Sequence, residues 1–525
     1  MPLRENVKQW KSFFNDLSAD REKPVDRRWV FGLAAFSFLI RIPLLIYPEV
    51  IHNDATEYIR HARRLLSWDW SLGKAHPFYP SLIALAHFLT PSEEMAGILV
   101  SAIFGALLVI PVFYLGKEIF NEKTGLMAAV FAVFQPFLYM ASGSVLTESV
   151  FHLLLAVSAL FGWRAFKRGR FLDTFLFGLF TSFTYLTRPE GIGFLLIFSA
   201  WTLFVNPPEE KRPWTKRVAI TVIALFGFLV LSFPYLLQLR KESGGWQLSK
   251  KISVSVGSLS DEGKDLPLEM IRTKKEMTLS TFLKSPFSVV KKMVSGFFLS
   301  VYKFQQVYTQ LLSALLVLGF VLNKGRSLSL KGNLYLASYV LYFFAFVHPF
   351  FWVTRRYTSH VISICMPWAA LGFLEAVKWA RKRYGEERFQ WKAAALLGVI
   401  LLGLFAQGSV IHTREHRFIQ RDAGLWMKDH LPRGERVMSG LPQEAFYGEM
   451  PWMKIPRGSY QEILATARAN GVRYLIVDDE IEEDSPGFLK EIRQEDLTPV
   501  KEWKRKAQRL VIYEVLFPEG SKPRF

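Results

Sequence analysis

Residues 50–80 read VIHNDATEYIRHARRLLSWDWSLGKAHPFYP, and the rest of the chain is organised around them. The stretch follows the first long apolar run, residues 29–48, and ends where another apolar piece begins. It opens with an acid at the exit of that run, Asp54, and continues as an amphipathic pattern, TEYIRHARRLL, at helical spacing. It closes on a Lys-x-His-Pro step, Lys74 to Pro77. As a helix cap, Asp54 needs no further role, because an Asn or Asp here satisfies the first backbone N–H groups of the next helix. As a carboxylate just beyond a membrane span, with Tyr58 one helical turn later, it suits a general base acting on a hydroxyl at the membrane surface.

The flanking composition decides that the runs are spans. Of 525 residues 50% are hydrophobic and 15% aromatic, and the mean hydropathy is +0.17. Apolar runs near 20 residues, the length that crosses a ~30 Å hydrocarbon core, recur at 29–48, 95–115, 125–141, 149–166, 171–187, 191–206, 217–238, 305–322, 333–351, 358–377 and 392–411. The expected fold class is a polytopic α-helical membrane protein with about eleven transmembrane helices. The apolar piece at 78–89 is too brief to cross. The first run lacks a small-x-small cleavage pattern and reads as a span that stays.

Formal net charge is +19. In a soluble protein that would point to nucleic acid. Here Lys and Arg collect in short loops, so membrane lipid is the expected partner and nucleic acid is excluded. Residues 1–28 are basic (Arg4, Lys8, Lys11, Arg21, Lys23, Arg27, Arg28) and are placed in the cytoplasm by the positive-inside rule. The loops 116–124, 164–170, 207–217, 323–332 and 378–392 then fall on the same side, and each carries Lys or Arg. The outer loops are 49–94 and the long 239–300. The latter is rich in Lys, but long loops translocate largely regardless of charge. Its piece SPFSVVKKMVSGFFLSVYKF suits an interfacial amphipathic helix.

Three domains are expected: a cytoplasmic segment 1–28, a transmembrane catalytic domain 29–411, and an extracytoplasmic α/β domain 412–525. In the last, DAGLWMKDHL, SYQEILATARANG and FLKEIRQE have helical spacing, while ERVMS, RYLIVDD and RLVIYEVL read as strands. Nucleotide-binding glycine fingerprints, phosphate-binding Gly-Lys-Ser loops and His-Glu-x-x-His zinc motifs are absent from the sequence. The single cysteine, Cys365, rules out an intrachain disulfide and a cysteine-based metal cluster.

Several charged residues lie at predicted span ends on the outer side. Glu148, in GSVLTESVF, begins a span. There it either complements the helix dipole or joins Asp54 in orienting an acceptor or holding a divalent cation, for which further ligands are not identifiable. Lys74, His76, Arg188, Arg355 and Arg356 form a basic outer group; the paired Arg355 and Arg356, abutting a span, run against the charge bias of that side, which either headgroup anchoring or binding of a lipid phosphate explains. Arg41 lies inside the first span and is a functional candidate by position. His52, His61, His348 and His360 show no metal-ligand spacing.

Taken in order, these motifs resemble the glycosyltransferase C superfamily, in its branch of dolichyl-phosphate-mannose–protein mannosyltransferases and lipid A aminoarabinose transferases. HNDATEYIRHARRLL is similar to that family's first-loop acidic motif. KAHPFYPSLIAL is similar to its Lys-Pro-Pro-Leu-like step, TRPEGIG to its Arg-Pro turn, and RRYTSHVISICMPWAALG to its late Arg-Tyr step. The match runs over about residues 29–380, and AGLWMKDHLPRGERVM looks like the tail of prokaryotic members.

The resemblance implies an inverting hexosyl- or pentosyltransferase in a prokaryotic plasma membrane. Its donor is a polyprenyl-phosphate-linked sugar and its acceptor a protein, lipid or glycan. Asp54 is the implied base, Glu148 a second catalytic acid, and Arg188 and Arg356, with Arg355, Lys74 and His76, the implied phosphate ligands. Tyr58, Glu57, Arg41, Tyr357 and Glu190 complete the candidate cavity. Two departures stand out. Ala55 replaces the family's second acid, and His76 replaces its lysine. The competing class, a secondary transporter or lipid flippase, favours acids near the bilayer midplane and pseudo-symmetric halves; the acids here lie at span exits.

Overall fold

A computed structural model describes residues 26–207, 210–250, 286–322, 327–350, 353–384, 386–410, 417–506 and 508–517. The chain divides into two compact units, one of Met1–Tyr47 with His61–Ile411, the other of Pro48–Arg60 with His412–Phe525. The division falls inside a single helix and assigns Asp54 to the second unit.

The first unit is helical. Its first span is α1 (Arg27–Leu39) and α2 (Ile42–Ile46), broken at Ile40 and Arg41. Helix α3 (Asn53–Leu66) follows, then α4 (Glu148–Arg168), α5 (Phe171–Thr187), α6 (Trp214–Ser243), α7 (Pro286–Tyr308), α8 (Gln310–Leu322) and α9 (Ile362–Tyr384), with shorter helices between them. Among the described residues the eleven expected spans are mostly helical, several of them broken by one or two residues. By length and apolarity, six helices among the described residues can cross a membrane alone. Helices α7 and α8 qualify only as a pair bent by 115°, and Phe171–Thr187, Pro189–Phe204 and Ala395–Ser409 are shorter apolar helices. The bend sits at Thr309, whose φ is 76°. Helix α7 holds the piece expected to be amphipathic from Pro286 onward; most of the 239–300 loop that precedes it, residues 251–285, lies outside the described residues.

Helices in a bilayer gain little from the hydrophobic effect against one another, so small residues that admit close backbone contact carry the packing. A Cβ on Gly319 of α8 would lie 2.0 Å from the carbonyl oxygen of Trp368 on α9, and one on Gly372 would lie 1.9 Å from that of Leu315. Gly178 of α5 and Gly227 of α6 form a second such pair, at 2.2 Å from Ala224 O and 2.5 Å from Phe175 O. Buried phenols are satisfied in place: Tyr335 Oη donates to Ala159 O at 3.1 Å and lies 2.9 Å from Tyr339 Oη.

The second unit is an α/β domain with a five-stranded sheet ordered β2-β1-β3-β5-β4. The strands are β1 (Arg436–Ser439), β2 (Trp452–Lys454), β3 (Val472–Asp478), β4 (Leu497–Arg505) and β5 (Gln508–Val515). β1 runs parallel to β2 and β3, whereas β5 is antiparallel to β3 and β4. Alternation assigns the faces. Val437, Tyr474, Ile476, Leu510 and Ile512 pack on one side with α10 (Phe418–His430) and α11 (Gln443–Tyr447). Met438, Leu475, Val477, Val511 and Tyr513 pack on the other with α12 (Tyr460–Ala469). Burial on both faces makes RYLIVDD a continuous apolar run. Ser459 and Glu462 form a capping box at the start of α12, and Gly471, φ 63°, follows its end.

Candidate functional site

Three chain breaks bring charged side chains together in the first unit. Helix α5 stops at Arg188 because Pro189 pushes the preceding residue to extended backbone, φ −151° and ψ 135°. Glu148 is the first residue of α4. Arg356 lies in a one-turn helix, Arg355–Thr358, started by Thr354, whose hydroxyl accepts from Tyr357 N at 3.3 Å. The Glu148 carboxylate is fully buried and accepts from Arg356 Nε and, at 3.4 Å, from Arg188 Nη1. Arg188 also donates to Thr147 Oγ1 at 3.2 Å and to Glu190 Oε1 at 3.3 Å. Its guanidinium carbon lies 5.2 Å from the Tyr357 ring centre and 5.7 Å from that of Phe151. Tyr342 holds Glu190 through its carbonyl at 2.9 Å.

The group is two guanidinium ions against two carboxylates held at helix ends; Glu148 and Arg188 are withdrawn from water, while the Arg356 side chain is 19% exposed. Arg188 Nε has no hydrogen-bond partner among the described residues. A buried guanidinium fork and a second, partly exposed one beside an aromatic ring can receive the oxygens of a phosphate.

Three histidines border this group. His152 and His360 are one helical turn beyond Glu148 and Arg356, and His348 lies 6.2 Å from His360, ring centre to ring centre. His360 also lies 5.9 Å from Tyr357 and 5.0 Å from Phe151. All three are buried, and neither ring nitrogen of His152 or His360 has a partner among the described residues. The sequence shows no metal-ligand spacing among His348 and His360; the fold brings the two together nonetheless. The available signal was the four-residue interval, Glu148 to His152 and Arg356 to His360, which puts each pair on one helix face.

Other candidates are placed differently. Arg355 is exposed and donates to Gln306 Oε1 at 2.8 Å. Lys74 is exposed. His76 is buried, with Nε2 2.8 Å from Ser249 Oγ and its ring beside Tyr185 and Tyr235. Arg41 is buried at the break of the first span. It donates to the Ser37 carbonyl and hydroxyl, at 2.7 and 2.6 Å, and to Ser142 Oγ at 3.0 Å, rather than to the Glu148 group. Among the described residues no group of three or more His, Cys, Asp or Glu side chains is arranged to hold a metal ion.

In the second unit, Asp54 lies in the first turn of α3, and its backbone N–H donates to His52 Nδ1 at 3.3 Å. Glu57 pairs with Arg60 at 2.8 Å, while Ala55, Tyr58 and Ile59 are buried along one side of α3. The preceding backbone is held by α11. Ile51 N donates to Tyr447 Oη at 3.0 Å, Gln443 Nε2 donates to Ile51 O at 3.3 Å, and the same amide donates to Asn53 Oδ1. Between Gln443 and Tyr447, Glu444 is buried, with Oε2 lacking a partner among the described residues. Burial pushes its carboxyl up to about 8, with Asp478 adding to the rise and Arg417 opposing it. Burial and Glu480 raise Asp478 to about 6.

The family model described as dolichyl-phosphate-mannose-protein mannosyltransferase matches residues 74–237, which include Lys74, His76, Glu148, Arg188 and Glu190. The chain superimposes on the Archaeoglobus fulgidus oligosaccharyltransferase, solved as a complex with Zn and sulfate, with a TM-score of 0.60 at 14% identity, over 90% of this chain and 72% of that one. This is the glycosyltransferase C fold. ArnT from Cupriavidus metallidurans, bound to undecaprenyl phosphate, shares the glycosyltransferase C fold at a TM-score of 0.57 and 13% identity, over 95% of this chain and all (100%) of that one. No curated protein matches the chain by sequence. Asp54, Arg355, Arg356 and Tyr357 lie outside the segment that the family model matches.

Proposed function

We propose that the chain is an inverting glycosyltransferase that moves a sugar from a polyprenyl-phosphate donor to an acceptor hydroxyl on a protein, lipid or glycan. The observation that carries this reading is the Glu148–Arg188–Arg356 group, with Glu148 and Arg188 buried, within a glycosyltransferase C fold. In the proposed step the Asp54 carboxylate takes the proton of the acceptor hydroxyl. The oxygen attacks the anomeric carbon, the bond from that carbon to the phosphate oxygen breaks, and the lipid phosphate leaves as an anion. Arg188 and Arg356 stabilise the charge that develops on it. Asp54 and the arginine pair belong to different units, and their joint action in one reaction is part of the proposal.

The reaction is placed at the outer face of a prokaryotic plasma membrane, with the N-terminus cytoplasmic and the α/β domain outside. The charge bias of the short loops supports that orientation. In detergent, transfer from radiolabelled polyprenyl-phosphate mannose to envelope acceptors is expected for the wild type and lost in Asp54→Asn. Equal transfer by the variant removes Asp54 as the base. For orientation, Gly440→Cys should react with an impermeant thiol reagent from outside and Gly385→Cys only after permeabilisation. The native Cys365 is buried and stays silent.

A further inference from the structure

The α/β domain has a topological switch point. β1 and β3 are parallel neighbours in the sheet. From the carboxyl end of β1 the chain passes to α11 on one face, where Ala445 packs with Ile419, Ala423 and Met427. From the carboxyl end of β3 it passes to the helix Ile481–Asp484, where Ile481 packs on the other face with Tyr460 and Ile463. Chains that leave neighbouring strands toward opposite faces open a crevice between them, and open α/β sheets take their ligands there. In this protein α11, which borders the crevice, grips a piece of the same chain, residues 51–53.

We propose that the α/β domain is a positioning device for the Asp54 segment, with Gln443 and Tyr447 as its positioning residues. The two are four residues apart and therefore share one face of α11. Between them they take both backbone groups of Ile51, its N–H at 3.0 Å on Tyr447 Oη and its oxygen at 3.3 Å on Gln443 Nε2. Val50 and Ile51 are 2% and 3% exposed, so water cannot replace these partners without opening the contact. The Gln443 amide also holds the Asn53 side chain, at the first residue of α3. Register at Ile51 and Asn53 thus sets where α3 begins, and with it the position of Asp54 in the first turn. A displacement of about 1 Å in a reacting group can cost roughly a hundredfold in rate. This deepens the reading of Asp54 as the base and rests on it.

The test uses the full chain in detergent, with Tyr447→Phe, the double variant Gln443→Ala/Tyr447→Phe, and Asp54→Asn alongside. Amide hydrogen exchange is followed at residues 50–56 and, as a control for the integrity of the domain, in β3. Kinetics use polyprenyl-phosphate mannose as the donor. The expected result is exchange at Ile51 at least tenfold faster in Tyr447→Phe, with β3 unchanged. In the double variant kcat should fall by tenfold or more while the donor KM stays within twofold. A merely structural role would move β3 exchange as well. Unchanged exchange at Ile51 overturns the proposal. A double variant with wild-type kcat beside an inactive Asp54→Asn overturns the clamp and leaves the base standing. Wild-type transfer by Asp54→Asn removes the base and, with it, the purpose of the clamp.

Discussion

Replacing Glu444 by Gln should stabilise the α/β domain, and by an amount that depends on pH. The folded carboxyl titrates at about 8, against an ordinary value of 4.5. Below the ordinary value both states hold the proton, and the group costs nothing extra. As pH rises from there the unfolded chain gives up its proton and the folded chain does not, so stability is lost through this interval and levels off above the folded value. At pH 7 the gap is about 2.5 units, which at ~1.36 kcal/mol each is roughly 3 kcal/mol. At pH 5 the same linkage gives under about 1 kcal/mol. Gln has the shape of the protonated acid and no charge to desolvate, so it removes the cost.

The measurement is amide protection in β1 and β3 of the full chain, wild type against Glu444→Gln at each pH, so that intrinsic exchange cancels. Protection should rise by roughly a hundredfold in the variant at pH 7 and by only a few-fold at pH 5. Equal protection at both values would show that the buried carboxyl is ionised and compensated, and would refute the reasoning.

The two adjacent arginines should separate. Arg356→Lys loses the Nε bond to the Glu148 carboxylate and should lower transfer by about a hundredfold. Arg355→Ala, on an exposed side chain, should change it less than threefold, as donor kinetics in detergent would show. Glu148→Ala leaves Arg188 and Arg356 without their shared buried acceptor; the expected loss is about 3–5 kcal/mol of stability, read as a lower melting temperature, whereas Glu148→Gln keeps an acceptor oxygen and should lose less. Gly372→Leu drives a side chain into the Leu315 carbonyl oxygen, 1.9 Å from the first added carbon, and should abolish folded yield in detergent extracts.

Two strands escaped sequence reading, the three-residue β2 and the longer β4, and β4 shows why the domain was only partly legible. β4, LTPVKEWKR, is an edge strand with one buried residue, Leu497, and a break in register between Pro499 and Lys501. Edge strands carry charge and proline to block further pairing, and that erases the alternation by which a strand is recognised. β3, buried on both faces, was legible for the opposite reason. The spans were legible because a lipid core demands long apolar helices. The break at Arg41 stands just before Pro43, which cannot donate to a continuing helix, whereas Thr309 takes a φ of 76° that no local pattern marks.

The sequence by itself determined a membrane chain of many helices, an α/β tail, and an acid at residue 54 followed by an amphipathic helix. Those follow from periodicity and hydropathy, which are local. Only the tertiary structure decided that Arg356 rather than Arg355 meets Glu148, that His348 and His360 are neighbours, and that residues 48–60 belong to the same compact unit as a domain that begins more than 350 residues later. Each of these joins residues far apart in the chain, and the interactions that select them exist only once the helices and strands have packed.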